Sequence, residues 1–599
     1  MLQARYSAGV MIAERSTTLY RLFVACVVFG ASISATLAAD LSTPNLLPGN
    51  SAVVAELRQP QAIFQHGLIL RGLAILKQSR AFQDALGNPD FDLIRDGIQH
   101  FESQLGIPLD KILDTCLGEG IWVSVGEGTP PEICVIVHGH DAERVAKLPA
   151  VTLSLIGRIV AGRGITLPDP TPRTHHQHTY YQLGEAFYAV AGPRWLLSNR
   201  EASLQGMLDR LDGRTPATTA GLSALLTEPI ADGTALRVAL DLPRIQQLPG
   251  FPAAFKWPPK EPGPVILAAG WLDLIHRSPQ VTAELSLAGD SVRANLRFPK
   301  LAGDITPGTV GYFASEPNVA AAPLLEPAQL IYSASWYRDY WKMWERRNDV
   351  PLPNEVSKLE KQLASTQDGN LGYSAVDFLR LIGPHLRLVV TRPGPSAYRV
   401  AITDRLPNFA AVIDLRDDKE FRDKVLPPIQ RILGVVAITQ KMISQNTQYK
   451  SAEVTVLKFT EDAAAVMNSD RVRYNFEPTY AITRGHLIVG STAALVRSLI
   501  DELDRLQSVP TNSTSTAPGP TERQVVKFTE LAALVDDIHG LAVRGAVLNN
   551  GLTIAEAEQE LALLKQLVAA LGALRVEAGF DEQGFGYRIE IPSQSAAGR

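Results

Sequence analysis

AFYAVAGPRWLLSNREASLQGMLDRL, residues Ala186 to Leu211, resembles TYAITRGHLIVGSTAALVRSLIDEL, residues Thr479 to Leu503. In each, two short strand-like runs flank a turn, at Gly192-Pro193 or Arg484-Gly485. A small-residue start then opens a helix that ends in Leu. Short apolar strands resemble one another by chance, so one such pair says little. Three further pairs occur in the same order along the chain.

LDKILDTCLGEGIWVSV (Leu109 to Val125) matches AVDFLRLIGPHLRLVV (Ala375 to Val390), a helical turn running through Gly into an alternating strand. ICVIVHGHDAERV (Ile133 to Val145) matches AAVIDLRDDKEF (Ala410 to Phe421). In both a strand ends at an Asp placed to cap the next helix, Asp141 or Asp417. VTAELSLAGDSVRANLRF (Val281 to Phe298) matches VEAGFDEQGFGYRIEI (Val576 to Ile591), a hairpin pattern in each case. Helices interleave irregularly with hairpin-connected strands, which predicts an α+β fold rather than a doubly wound parallel sheet. The expected organisation is two tandem related modules, 45–300 and 328–592, each a mostly antiparallel sheet with packed helices. A Gly/Pro/Ala-rich connection at 301–327 joins them, and a short tail follows at 593–599.

Between the paired blocks, Pro60 to Ala85 reads as helical and Thr234 to Leu240 as a strand. Val265 to Leu272 is apolar enough to be a central strand. Pro249 to Pro264 is a proline-rich loop, and Ser508 to Glu522 a low-complexity exposed loop. Thr553 to Leu571 is an amphipathic helix with an N-terminal Thr and early glutamates, expected to cover a sheet face.

The amino terminus carries the most specific local signal. Arg15 and Arg21 precede the apolar run Leu22 to Ile33, and small residues lead to Ala39 before Asp40. That is the order of a secretory signal peptide, residues 1–39. The run falls short of the roughly 20 apolar residues of a membrane span, which favours a cleaved leader over an N-terminal anchor. The expected location is periplasmic or extracellular, with no transmembrane segment in the mature chain. Cleavage would remove three arginines and one glutamate and take the formal net charge from −5 to −7. A chain with no cationic excess is a poor general binder of nucleic acid. Only Cys116 and Cys134 survive cleavage, and an exported chain can oxidise them; whether they are bridged is left open by the sequence.

Features present in one module only are the better functional candidates. Five of the 11 histidines fall in two clusters of the first module. His138 and His140 alternate at a strand end and, with Asp141, form a candidate divalent-metal site. The corresponding second-module positions are Asp414 and Arg416. His175, His176 and His178 sit in a polar loop. The plain alternative for the first cluster is a solvated strand end with Asp141 as a helix cap. No other cofactor is expected.

In the second module, YSASWYRDYWKMWERRN (Tyr332 to Asn348) holds three of the seven tryptophans. Read as a helix from about Ser335, it places Trp336, Tyr340 and Trp344 on one stripe and Trp341 beside them. These are candidate partner-binding residues, with burial against a sheet as the structural alternative. The chain has no HExxH, GxSxG, phosphate loop or CxxC, and no carboxylate spacing marks an acid–base pair, so the reading leans away from an enzyme.

The leader, the Leu46-Leu47-Pro48 opening, the strand–Asp–helix segment Val137 to Val145 and the strand–helix Leu196 to Leu211 resemble a bacterial exported family of unknown function. The resemblance implies a compartment and a class and transfers no catalytic residue. The expected role is a non-catalytic binding or scaffold protein of the bacterial envelope, its partner an envelope protein, glycan or lipid. The rivals are a periplasmic carrier of an apolar or amphipathic ligand and a hydrolase with an unrecognised site.

Overall fold

The computed structural model describes residues 43–593, except 59, 88, 162–165, 219–220, 228–232, 249–261, 350–356, 359, 362–373, 399–401, 461–467 and 509–517. The leader, most of the 249–264 loop, the centre of the Ser508–Glu522 segment and residues 594–599 lie outside the described residues. The fold is α+β, and every described strand pair is antiparallel.

The chain divides into two compact units. Among the described residues, the first takes those up to Leu70 and those within Arg80–Phe251 and Gln280–Gly289; the second takes those within Arg71–Ser79 and Pro252–Pro279 and those from Asp290 on.

Strands of the first unit are β1 (Ser51–Leu57), β2 (Gly120–Gly126), β3 (Ile133–His138), β4 (Thr171–His175), β5 (His178–Leu183), β6 (Ala186–Ala191), β7 (Arg194–Ser198), β8 (Thr234–Asp241) and β9 (Gln280–Ala288). They lie side by side in the order β9-β8-β1-β2-β3-β7-β6-β5-β4. Alternation along β3 loads both faces. Val135 and Val137 join a core with Ile112, Leu113 and Cys116 of the Leu109–Cys116 helix and Val145 and Leu148 of the Ala142–Ala161 helix. Cys134 and Ile136 face the other way, against Leu204, Met207 and Leu208 of the Glu201–Leu211 helix and against Leu46 and Leu47. Burying each of those large side chains stabilises the unit by about 1.5–3 kcal/mol. A sheet with helices on both faces follows from a strand that is apolar at every position.

This alternation answers the cysteine question. Cys116 and Cys134 are both buried, belong to cores on opposite faces of the sheet, and are not bridged. Burial pushes each thiol up to about 11.

The second unit holds β10 (Ser291–Phe298), β11 (Leu330–Tyr337), β12 (Ile382–Thr391), β13 (Asn408–Leu415), β14 (Met442–Tyr449), β15 (Ala452–Phe459), β16 (Thr479–Thr483), β17 (His486–Gly490), β18 (Pro520–Lys527), β19 (Ala573–Asp581) and β20 (Gly584–Ile591). Their order is β10-β20-β19-β18-β11-β12-β13-β17-β16-β15-β14. From β19 to β14 this is the first unit's order with every strand number raised by ten. Helices occupy equivalent places. Val412 of β13 packs with Leu495, Val496, Leu499 and Leu503 of the Ala493–Gln507 helix. Ile413 and Leu415 pack on the other face with Leu381 and Phe421. An aromatic cluster of Trp271, Phe313, Phe580, Phe585 and Tyr587 closes part of this unit, with ring centroids 4.9–5.8 Å apart.

Four local expectations differ from the structure. The exposed loop expected over Ser508–Glu522 ends early, because Pro520–Glu522 open β18 and Thr521 and Glu522 are buried in its pairing. Val265–Leu272 belongs to a helix, Pro262–Arg277, because a continuous apolar run carries no period that separates a buried strand from a buried helix. The aromatic segment is strand through Tyr337, since β11 is paired on both sides, with β12 and with β18; only Tyr340–Glu345 is helical. The helix after Thr553, Ile554–Ala570, packs on the Phe528–Asp537 and His539–Asn550 helices. Among the described residues no helix is long and apolar enough to cross a membrane.

Candidate functional site

The β4–β5 hairpin lies at the edge of the first unit's sheet and turns through His176-Gln177. A two-residue turn needs a left-handed backbone, and His176 supplies it with φ 51°. His175 and His178 stand opposite each other in register at the base of the turn. The turn meets the carboxyl end of the Glu201–Leu211 helix, where Asp209 and the capping residue Asp212 lie three residues apart and share a face. Leu204, Met207 and Leu208 anchor that helix in the core and fix the position of the two aspartates.

The contacts converge. His175 Nε2 lies 2.8 Å and His176 Nε2 3.4 Å from the same oxygen, Asp209 Oδ1. The two imidazole rings are 4.3 Å apart. His178 Nε2 lies 2.8 Å from Asp212 Oδ1, which also accepts from Gln177 Nε2 at 3.0 Å. Arg214 Nε is 3.3 Å from Asp212 Oδ2. The hydrogen bond from His178, backed by Arg214, holds the Asp212 carboxyl below its ordinary value. At the other end of the helix, Tyr180 Oη (2.5 Å) and Arg173 Nη1 (2.6 Å) both donate to Glu201 Oε1. Among the described residues, His175, His176 and Asp209 form the one group whose ligand atoms all lie within 4.8 Å of one another.

The other histidine cluster does not come together. His138 ends β3, and its Nδ1 pairs with Thr43 Oγ1 at 3.0 Å. Burial, then Arg194 and His140, push its imidazole down to about 4. His140 Nδ1 lies 3.0 Å from the Asp114 carbonyl. Asp141 caps the Ala142–Ala161 helix, accepting from the Arg144 amide at 3.1 Å, and ion-pairs with the Arg144 guanidinium at 3.3 Å. The strand stops at His138, so strand alternation does not extend to His140. Gly139 sits so close to the end of the Leu109–Cys116 helix that a Cβ there would fall 2.5 Å from the Cys116 carbonyl oxygen.

Nor do the four aromatic candidates form one stripe. Trp336 lies on β11; Tyr340, Trp341 and Trp344 lie on the short helix capped by Asp339, which accepts from the Lys342 amide at 3.0 Å. All four are half-buried. Arg347 covers the Trp344 ring at 4.2 Å, and burial raises the Tyr340 hydroxyl. A pocket bordered by Pro393, Tyr398, Tyr474 and Glu477 encloses about 50 Å³, room for a water or two.

The second unit builds the same hairpin-to-helix contact from different side chains. Its β14–β15 hairpin turns through Lys450-Ser451, with Lys450 at φ 53°. The facing helix offers Asp501 and Asp504. Tyr449 Oη donates to Asp501 Oδ2 at 2.9 Å, and Lys450 Nζ pairs with Asp501 and, at 3.1 Å, with Asp504. Arg484 Nε lies 2.9 Å from the same Asp504. Asp209 and Asp212 are the site residues that sequence reasoning passed over. The signal was present in the paired helices: M-L-D-R-L-D (Met207 to Asp212) stands against L-I-D-E-L-D (Leu499 to Asp504).

No family model matches this chain, and no curated protein matches it. Among solved structures it is similar to "Structure of crystal form IV of TP0453", at 13% identity and a TM-score of 0.23, over 43% of this chain and 81% of that one. Crystal form III of the same protein gives 13% identity and a TM-score of 0.24, over 44% and 81%. Similarity at this level says nothing about ligand or activity.

Proposed function

We propose that this chain is an exported, non-catalytic binding protein of the bacterial envelope, with its binding chemistry in the histidine turn of the first unit. The observation that carries the reading is the difference between two equivalent contacts. The second unit ties hairpin to helix with Lys450 and Tyr449, an ordinary surface ion pair. The first unit puts imidazoles in that place, and an imidazole nitrogen can act as a ligand to a bound group, which the Lys450 ammonium cannot. The shared strand order supports reading the units as copies of one module, one kept as scaffold and one adapted. Export is supported by the arginine, apolar and small-residue order of residues 1–39.

The test uses the full chain in a Gram-negative host. Release by osmotic shock with Asp40 as the new amino terminus is expected; a chain held in the cytosol with residues 1–39 attached overturns export. Native mass spectrometry of the released protein addresses binding. A mass excess over the polypeptide that disappears in a His175→Ala/His176→Ala/His178→Ala variant is expected. Equal masses, or an excess that survives in the variant, overturn the placement of binding in this turn.

A further inference from the structure

We propose that His175, His176 and Asp209 bind one late first-row divalent cation, zinc being the reference ion. This rests on the reading that the histidine turn is the binding site and names the class of ligand it takes.

The contrast between the two equivalent contacts is the first argument. In the second unit, Asp501 and Asp504 face two permanent cations, Lys450 and Arg484. In the first, Asp212 has Arg214, while two imidazoles, those of His175 and His176, close on Asp209. Where the second unit sets the Lys450 ammonium against its aspartates, the first sets two ring nitrogens against one carboxylate oxygen. A cation bound there occupies the place where the second unit has an ammonium.

Donor chemistry is the second argument. Two imidazole nitrogens and one carboxylate oxygen suit zinc, nickel or copper, whereas magnesium and calcium take oxygen ligands. Three protein ligands leave a coordination position for water. Asp212 stays outside the set because Arg214, Gln177 and His178 already engage it. His176 is exposed and His175 and Asp209 are half-buried, so an ion reaches the site from solvent. The turn itself does not call for histidine, since Lys450 holds the same left-handed backbone in the second unit.

The experiment is calorimetric titration of the metal-free full chain with zinc chloride, and separately with magnesium chloride. One zinc per chain and no magnesium heat are expected. His175→Ala/His176→Ala should weaken zinc binding by about a hundred-fold or more, since even outer partners of metal ligands cost about 10–100-fold. Asp209→Asn, which keeps the shape of the side chain, should weaken it in the same direction with an unchanged melting temperature, and Lys450→Ala should leave it untouched. Tyr449→His/Lys450→His in the second unit should add a second zinc equivalent. No zinc binding by the wild type, unchanged affinity in both first-unit variants, or no second equivalent overturns the proposal. If the native mass excess is present and histidine-dependent but zinc does not bind, the metal assignment falls and the binding reading stands; no excess at all takes the reading down first.

Discussion

His486 faces Asp414 across the β13–β17 pair, its Nε2 3.1 Å from the carboxylate, at the register position where Arg194 faces His138 in the first unit. One scaffold position thus holds an attractive pair in one unit and two cationic or would-be cationic groups in the other. The consequences for stability have opposite origins and the same sign.

In the first unit, burial, Arg194 and His140 lower the His138 imidazole from 6.5 to about 4, with the Trp122 ring and Thr43 as its other neighbours. The unfolded chain then binds the proton more readily than the folded one. The neutral ring's stability is present above pH 6.5 and is lost as pH falls toward 4. The loss reaches up to about 3 kcal/mol, less whatever solvent screening removes. Urea denaturation at pH 7 and pH 4.5 should show a smaller pH difference in His138→Gln than in the wild type.

Burial by itself would raise the Asp414 carboxyl, but hydrogen bonds from His385 and His486 outweigh it and hold the group well below its ordinary value. Its stabilisation is present above the ordinary carboxyl pKa and is lost only in strong acid. Asp414→Asn leaves Arg387, with its side chain 4% exposed, without its anion. A loss of about 3 kcal/mol in unfolding free energy is expected at pH 7. Denaturation curves of the two chains with coincident midpoints would remove this carboxylate from the stabilising contacts.

Cys116 and Cys134 should be silent to a thiol reagent in the native chain at pH 8, since burial pushes both thiols up to about 11. Both should react once the chain is unfolded. Mild oxidation should give no intramolecular bridge, because a sheet stands between them. A two-proton mass loss in the oxidised native protein contradicts this.

Phe585 is fully buried and contacts Phe580, Trp271 and Phe313 at centroid distances of 4.9, 5.0 and 5.2 Å. Phe585→Ala should cost about 3–5 kcal/mol, from lost burial and the cavity left behind. Thermal melts followed by near-ultraviolet circular dichroism would report it through Trp271; a change under 1 kcal/mol would mean the cluster collapses onto the gap.

What could be read from the sequence is what local physics decides. Asp141, Asp417 and Thr553 cap helices as their spacing indicates, because a side-chain oxygen reaches only the amides two or three residues ahead. The turns after β6 and β16 fall where Gly192-Pro193 and Arg484-Gly485 mark them. The aromatic segment went the other way. Trp336, Tyr340 and Trp344 are spaced for a helix, but two flanking strands claim the first of them, and ladder hydrogen bonds outweigh spacing.

Taken alone, the order of residues determined an α+β chain with two similarly patterned halves, an arginine, apolar and small-residue order over residues 1–39 and a concentration of histidine in the first half, since period, composition and capping act over a few residues. The tertiary structure alone decided which histidines meet a carboxylate. His138 and His140 lie within three residues of Asp141 yet find separate partners, because β3 ends between them. His175 and His176 find Asp209 across more than thirty intervening residues, because β5, β6 and β7 carry the chain back across the sheet before the helix begins. Metal-ligand spacing along a chain is a local quantity; convergence of side chains is set by strand order, and that depends on how both faces of the sheet are buried.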